Sequence, residues 1–163
     1  MEISRFSDEN LVFLDETGFN KHTTRSYGYS AENTKAYITV SANRGINRSL
    51  LCLIGLEGLI AYKYKNGAFN SESFIEFINL YLVPYLRTHP SKVLIMDNAR
   101  FHKSQVVLQV LRENNILFKY LVPYSPELNP IEEFFSMFKS RYHALKNLLW
   151  IKYYLIIIIL FNA

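Results

Sequence analysis

The sequence predicts an α/β fold, one mixed five-stranded β-sheet flanked by helices. Three observations carry this. Two short apolar runs, Leu11–Leu14 and Val93–Met96, each lead into an acid, Asp15 and Asp97, as expected of buried strands with a polar group at the carboxyl end. Residues 93–122 read as strand, helix and strand within about thirty residues, the pattern of a right-handed βαβ unit with parallel strands. Residues 36–65 read instead as a meander of short strands.

Taken in order, the chain opens with MEISRFSDEN, which is polar and has no apolar signal core. The expectation is an intracellular protein, in the nucleus of a eukaryote or the cytoplasm and nucleoid of a bacterium. After the first strand, residues 17–35 are rich in Gly, Ser, Thr and Asn and read as a long surface loop. A loop of that length points to function rather than mere connection. Strands are expected at about 36–42, 49–56 and 59–65, with Arg44 and Arg48 on the turn between the first two. Glu57-Gly58 is a hairpin signal, and Asn66-Gly67 ends the meander. Ser71 or Ser73 suits the cap of a helix whose stripe is Phe74, Ile75, Phe77, Ile78, Tyr81 and Leu82.

After the strand at 93–96, Val106, Val107, Val110 and Leu111 recur at helical spacing, and Asn114-Asn115 is a stop signal. Ile116 to Val122 reads as a strand closed by Pro123, which has no N–H for a sheet ladder. The loop YSPELNP follows, stiffened by Pro123, Pro126 and Pro130. A last helix starts near Pro130, with Asn129 suited to its cap and Ile131, Phe134, Phe135, Phe138 and Tyr142 as its buried stripe. Glu132 falls at the third helical position, on the border of that stripe. Two readings of Glu132 stand at this point: half of an Asn-x-x-Glu capping box, or a functional acid.

Half of the 163 residues are hydrophobic, which excludes a disordered chain, and the length suits one domain with a full core. The net charge of +4 fits an anionic partner without demonstrating one. The single cysteine, Cys52, lies in an apolar run and reads as core; alone it makes neither an internal disulfide nor a metal cluster. The domain is expected to span residues 1–147. Residues 148–163, LLWIKYYLIIIILFNA, form an atypical apolar tail, too short and too interrupted by Lys152 for a membrane span of about 20 residues.

Three antiparallel strands, a helix, then parallel strand, helix, strand and helix make the ribonuclease H-like pattern, with sheet order 3-2-1-4-5. Its first and fourth strands lie side by side, which would place Asp15 and Asp97 on strands about 4.8 Å apart. Two carboxylates so close repel, and a divalent cation relieves them; hard oxygen ligands suit Mg²⁺ or Mn²⁺. Glu132 is the candidate third acid. Removing the Asp97 charge should then raise stability in the absence of metal.

The segments FLDETGF, LIMDNARFHKS and PYSPELNPIEEFFSMFK resemble the three catalytic blocks of DDE transposases of the Tc1/mariner–IS630 superfamily. The resemblance covers about residues 9–145, and 34 residues lie between Asp97 and Glu132. DNxxxH followed by SPxLNPIE is the specific part. The resemblance implies Asp15, Asp97 and Glu132 as catalytic and metal-binding triad, Mg²⁺ or Mn²⁺ as cofactor in two copies, and two-metal phosphoryl transfer that nicks a transposon end and joins it to target DNA. It implies double-stranded DNA as partner, is compatible with a homodimer, and calls for no small-molecule substrate, organic cofactor or membrane.

Asn98 and His102 are possible supports of the site. Asn98 suits a brace of the turn, whereas His102 suits either the orientation of water or phosphate or a structural place. Arg44, Arg48, Lys103, Lys139 and Arg141 are candidate phosphate contacts and Tyr124 a candidate base-stacking residue, each competing with an ordinary surface or packing role. Two departures from the family are a phenylalanine, Phe135, where tryptophan is usual after NPIE, and only 14 residues before Asp15, too few for the family's DNA-reading helix-turn-helix. The expectation is a catalytic domain standing alone. The competing expectation is a catalytically silent, transposon-derived DNA-binding or assembly module.

Overall fold

The computed structural model describes residues 3–20, 29–35, 37, 47–122 and 129–145. Two 3₁₀ turns, Ile3–Arg5 and Asp8–Asn10, lead into strand β1, Leu11–Phe19. Strands β2, Arg48–Gly55, and β3, Gly58–Asn66, follow, then helices α1, Ser71–Phe77, and α2, Val83–Thr88. Strand β4 is Val93–Met96, helix α3 Gln105–Glu113, strand β5 Phe118–Tyr120 and helix α4 Pro130–Leu145. The five strands form one mixed sheet in the order β3-β2-β1-β4-β5, the ribonuclease H-like arrangement read from the sequence. β1 pairs antiparallel with β2 and parallel with β4, and β5 is parallel to β4. The strand expected at 36–42 lies outside the described residues, Tyr37 apart, and so do the loop prolines Pro123 and Pro126 and the tail at 148–163.

Several boundaries differ from the sequence reading, each for a physical reason. β1 does not end at Asp15. It runs on to Phe19 because Glu16 to Phe19 pair with Leu51 to Arg48 of β2. The loop expected from residue 17 therefore begins at Asn20, and Thr17 and Phe19 are buried. The β2–β3 turn is Leu56-Glu57, with Gly58 as the first residue of β3, opposite Gly55. Gly58 has φ +105°, a backbone region that a side chain would strain. The α1 cap is Asn70, not Ser71 or Ser73: its side chain accepts from the Ser73 amide while the Ser73 hydroxyl takes the Asn70 amide. Between α1 and α2 a π turn, Ile78–Leu82, widens the helix, with the Val83 amide donating to Ile78 O. The extra residue in that turn rotates Tyr81 out of the stripe, leaving it 40% exposed. At the end of α3 the stop holds: Asn115 takes φ +54°, a left-handed conformation that asparagine tolerates.

The sheet is covered on both faces. Val12, Leu14, Leu51, Leu53, Leu94 and Met96 pack against Phe74, Phe77 and Leu82 of the first helical run and Val107 and Leu111 of α3. On the other face Phe19, Leu50, Cys52 and Ile54 meet Ile131, Phe135, Phe138 and Tyr142 of α4. Alternation along β1 gives its odd positions, Phe13, Asp15, Thr17 and Phe19, to the α4 side. Docking of α4 is therefore an apolar contact, reinforced by the edge-on Phe19–Phe138 pair at 5.2 Å. Cys52 is a free, buried core thiol. No helix among the described residues is long and apolar enough to cross a membrane.

Phe135 is 1% exposed, whereas Phe134 is only partly buried. Phe135→Ala should lose about 3–5 kcal/mol of stability, and Phe134→Ala less than half of that. Urea denaturation of both variants measures the difference.

Candidate metal centre

The β1–β4 register brings two acids together. Leu11 to Leu14 pair with Val93 to Met96, so Asp15 and Asp97 are the next positions on neighbouring strands. They differ in setting. Asp15 sits within β1, opposite Cys52 of β2, and is 7% exposed. Asp97 lies just past the end of β4, and its side chain is about half-exposed. Glu132 is exposed in the first turn of α4.

Each acid at the sheet edge is held by identifiable donors. The Glu16 amide donates to Asp15 Oδ1 at 2.7 Å, and Asn129 Nδ2 donates to Asp15 Oδ2 at 3.0 Å. The Ala99 amide donates to Asp97 Oδ1 at 3.0 Å, and His102 Nδ1 lies 2.6 Å from the same oxygen. That last approach is a close polar contact without the alignment of a full hydrogen bond. Asn98 turns its amide to Leu121 O at the end of β5 and accepts from Lys103 Nζ, so it braces the turn after β4.

The electrostatics separate the two strand acids. Burial, the Asp97 charge and, less, the Glu132 charge push Asp15 up from 3.8 to about 7, against the opposing pull of the Glu16 amide and His102. Burial also acts to raise Asp97, but His102, the Ala99 amide and Lys103 outweigh it and hold the carboxyl below its ordinary range. Burial raises Glu16 as well, and one of its carboxylate oxygens is enclosed without a partner among the described residues. The balance of partners points to the opposite sign from the one expected for Asp97: Asp15 carries the cost of the clustered charge, while Asp97 is the better-partnered acid.

Among the described residues no three His, Cys, Asp or Glu side chains converge closely enough to form a ready metal cluster. Asp15 and Asp97 share one edge of the sheet, and Glu132 acts on Asp15 through its charge from the adjoining helix. The donor set fits a divalent cation even so: the acids are hard oxygen ligands, and a carboxylate raised to about 7 by burial and by the Asp97 charge would be stabilised in its ionised form by a cation.

The other singled-out residues fall as follows. His102 is fully buried, its ring 4.5 Å from that of Phe74, and Tyr120 donates to its carbonyl at 3.0 Å. Its contact with Asp97 is therefore indirect support of the edge rather than an exposed position facing substrate. Lys103, besides its bond to Asn98, lies 4.9 Å over the Tyr120 ring. Arg48 stands at the same end of the sheet as the acids, its Nε donating to Tyr64 at 3.1 Å. Lys139 is half-buried on α4. Arg141 instead lines a cavity of about 310 Å³ with Glu57, Leu59 and Met137 at the β2–β3 turn, the end of the sheet away from the acids. Arg44 and Tyr124 lie outside the described residues.

Asn129 stands at the N-cap position ahead of Pro130, as read from the sequence, but its side chain does something the sequence reading did not foresee. That side chain is buried against Asp15, 114 positions away. Local sequence carries no signal for such a contact.

A family model described as DDE superfamily endonuclease matches residues 10–149. No curated protein matches the chain. Among solved structures, the Mos1 transposase paired-end complex with left transposon end is 25% identical, with a TM-score of 0.65 over 84% of this chain and 42% of that one. A pre-cleavage Mos1 transpososome gives 0.70 at 23% identity, over 95% of this chain and 48% of that one. The Mos1 transposase catalytic domain with Raltegravir and Mg gives 0.65 at 19%, over 96% and 71%. The chain thus spans less than half the length of the first two, and the last two likenesses concern the fold.

Asp15 yields a pH dependence. Its folded value of about 7 exceeds the ordinary 3.8, so the metal-free fold holds this proton more tightly than the unfolded chain does. The contribution of Asp15 to stability is greatest below about pH 4, falls as pH rises towards 7, and stays at its minimum above that. Asp15→Asn should flatten the slope and raise metal-free stability at pH 8 by roughly 1–3 kcal/mol, or about 2–10 °C in Tm. Asp97→Asn should lower it, because the partners of Asp97 favour its charge. Thermal melts in chelator at pH 5 and pH 8 read all three slopes.

Proposed function

The chain belongs to the DDE superfamily endonucleases, and from that membership we propose that it is a transposase catalytic domain of the Tc1/mariner–IS630 superfamily, cutting and joining DNA strands with divalent metal. The catalytic unit is residues 1–147, with the apolar stretch 148–163 outside it. Asp15, Asp97 and Glu132 are the catalytic acids and would hold Mg²⁺ or Mn²⁺, two ions in all. One observation carries this reading: adjacent strands put Asp15 beside Asp97, and burial together with the Asp97 charge disfavours the ionised form of Asp15, which a bound cation would stabilise.

When bound, such ions supply Lewis-acid stabilisation to the oxygens exchanged at phosphorus. The residues of the chain itself orient and exclude. Asn129 and the Glu16 amide fix the Asp15 carboxylate, while His102 and the Ala99 amide fix that of Asp97. The apolar contacts of Ile131 and Phe135 seat α4, and with it Glu132, against the sheet. Asn98 ties the turn after β4 to the end of β5. Double-stranded DNA, as transposon end and as target, is the substrate, with Arg48 and Lys103 supplying phosphate contacts at the acid end of the sheet and Lys139 along α4. Arg44 and Tyr124 keep their sequence-based assignment to DNA, and Arg141 serves DNA only at the far end of α4. A homodimer would bring two ends together. The site of action is wherever the DNA lies, nucleus or nucleoid.

A second reading, a catalytically silent DNA-binding module, draws on the exposed position of Glu132 and the absence of a ready three-acid cluster among the described residues. Nicking of supercoiled plasmid in Mn²⁺ or Mg²⁺ separates the two. The wild type should nick slowly, and Asp97→Asn and Glu132→Gln should each reduce the rate by roughly 100-fold or more, as loss of about 3 kcal/mol of transition-state stabilisation requires. Added Mn²⁺ should raise the Tm of the wild type and not that of Asp97→Asn, and more at pH 8 than at pH 6, where the Asp15 proton competes. Equal metal shifts in both proteins would favour the silent module.

DNA binding by the domain should fall steeply with salt and differ little between transposon-end and scrambled duplexes, because phosphate contacts carry no sequence information. Titration of the two duplexes at two salt concentrations checks this, and a strong preference for one of them would count against it.

A further inference from the structure

We propose that Asn129 is a positioning residue for the acid edge. Its amide holds the Asp15 carboxylate in the orientation that accepts a divalent cation, and it joins that carboxylate to the start of α4, just ahead of Glu132. The inference rests on the reading of Asp15 as a metal ligand.

The contact is buried and long-range. Asn129 is 6% exposed, and its Nδ2 lies 3.0 Å from Asp15 Oδ2. A capping asparagine turns its side-chain oxygen onto an amide of the first helical turn. Here the Glu132 amide goes instead to the backbone oxygen of Asn129, at 3.0 Å. The side-chain Oδ1 is left enclosed with no partner among the described residues. An unpaired buried acceptor is destabilising, and a serine would cap this helix without one. Among the described residues, the partner that the Asn129 side chain finds is the Asp15 carboxylate and not the first turn of the helix.

What the amide supplies is a donor without a charge. Asp15 Oδ1 is already held by the Glu16 amide, so Asn129 fixes the second oxygen and the rotation of the carboxylate becomes set. A lysine at 129 would neutralise Asp15 and compete with a cation, and an aspartate would add a further repelling charge. Outer-shell donors of this kind orient a metal ligand before the ion arrives, and their loss weakens metal affinity about 10–100-fold. Because Pro130 follows directly, the same side chain also sets where α4 begins relative to β1. The hydrogen bond thus adds a polar tie between β1 and the head of α4 to the apolar contacts that seat the helix.

The test uses Asn129→Ser, which keeps a capping side chain but is too short to reach Asp15, and Asn129→Ala, which keeps neither. Mn²⁺ affinity is read from the electron paramagnetic resonance signal of free Mn²⁺, with metal-free thermal melts alongside. The expected result is a metal-free Tm of Asn129→Ser close to the wild type, with Mn²⁺ affinity about 10–100-fold weaker in both variants. Wild-type affinity in Asn129→Ser would overturn the inference while leaving the proposed function standing. Unfolding of both variants would assign Asn129 to the fold and overturn it too. No Mn²⁺ binding by the wild type would remove the underlying reading of Asp15, and Asp15→Asn in the same assay marks that baseline.

Discussion

The parallel pairing of β1 with β4 is the constraint on which the rest of the acid edge depends. Four residue pairs, Leu11–Val93 to Leu14–Met96, fix the register. A one-residue slip would send every side chain of a strand to the opposite face. With the register set, Asp15 and Asp97 become neighbours whether or not their charges favour it. Apolar burial on both sheet faces supplies the driving force, and Asp15 is carried into a position that its charge disfavours.

The surroundings then divide the labour between the two acids. β1 continues past Asp15 and is covered by α4, so Asp15 is dehydrated. β4 stops before Asp97, which stays half-exposed and gathers His102, the Ala99 amide and Lys103. One carboxylate is left short of positive charge and the other is supplied with it. Under the proposed function this asymmetry is useful, because the under-supplied acid is the one that gains most from an ion.

The supporting residues lie in two places, the connection between β4 and α3 and the head of α4. Asn98 reaches from the turn after β4 to β5, His102 from the stretch before α3 to Asp97, and Asn129 from the head of α4 to Asp15. The ties of Asn98 and Asn129 cross between elements, whereas that of His102 closes the connection after β4 on itself. The edge is therefore as rigid as the packing of α1, α3 and α4 on the sheet, and a cavity under α4 would be felt at Asp15.

Much of this was legible in the sequence because it is written in local patterns. Apolar runs marked β1 and β4, helical spacing marked α3 and α4, and the spacing of Asp15, Asp97 and Glu132 within recognisable blocks marked the acids. Local patterns do not carry pairing, and there the reading failed. β1 continues through Glu16 to Phe19 only because β2 offers Leu51 to Arg48 as partners. Tyr81 leaves its stripe only because a π turn intervenes. Asn129 looked like a helix cap from its neighbours and became a partner of Asp15 through a contact spanning most of the chain. The sequence by itself determined roughly where strands and helices form and which acids lie on or beside them, since those follow from periodicity and side-chain chemistry. Only the tertiary structure decided which acid is buried, which is partnered and which amide holds it, because dehydration and hydrogen bonding depend on what other parts of the chain bring alongside.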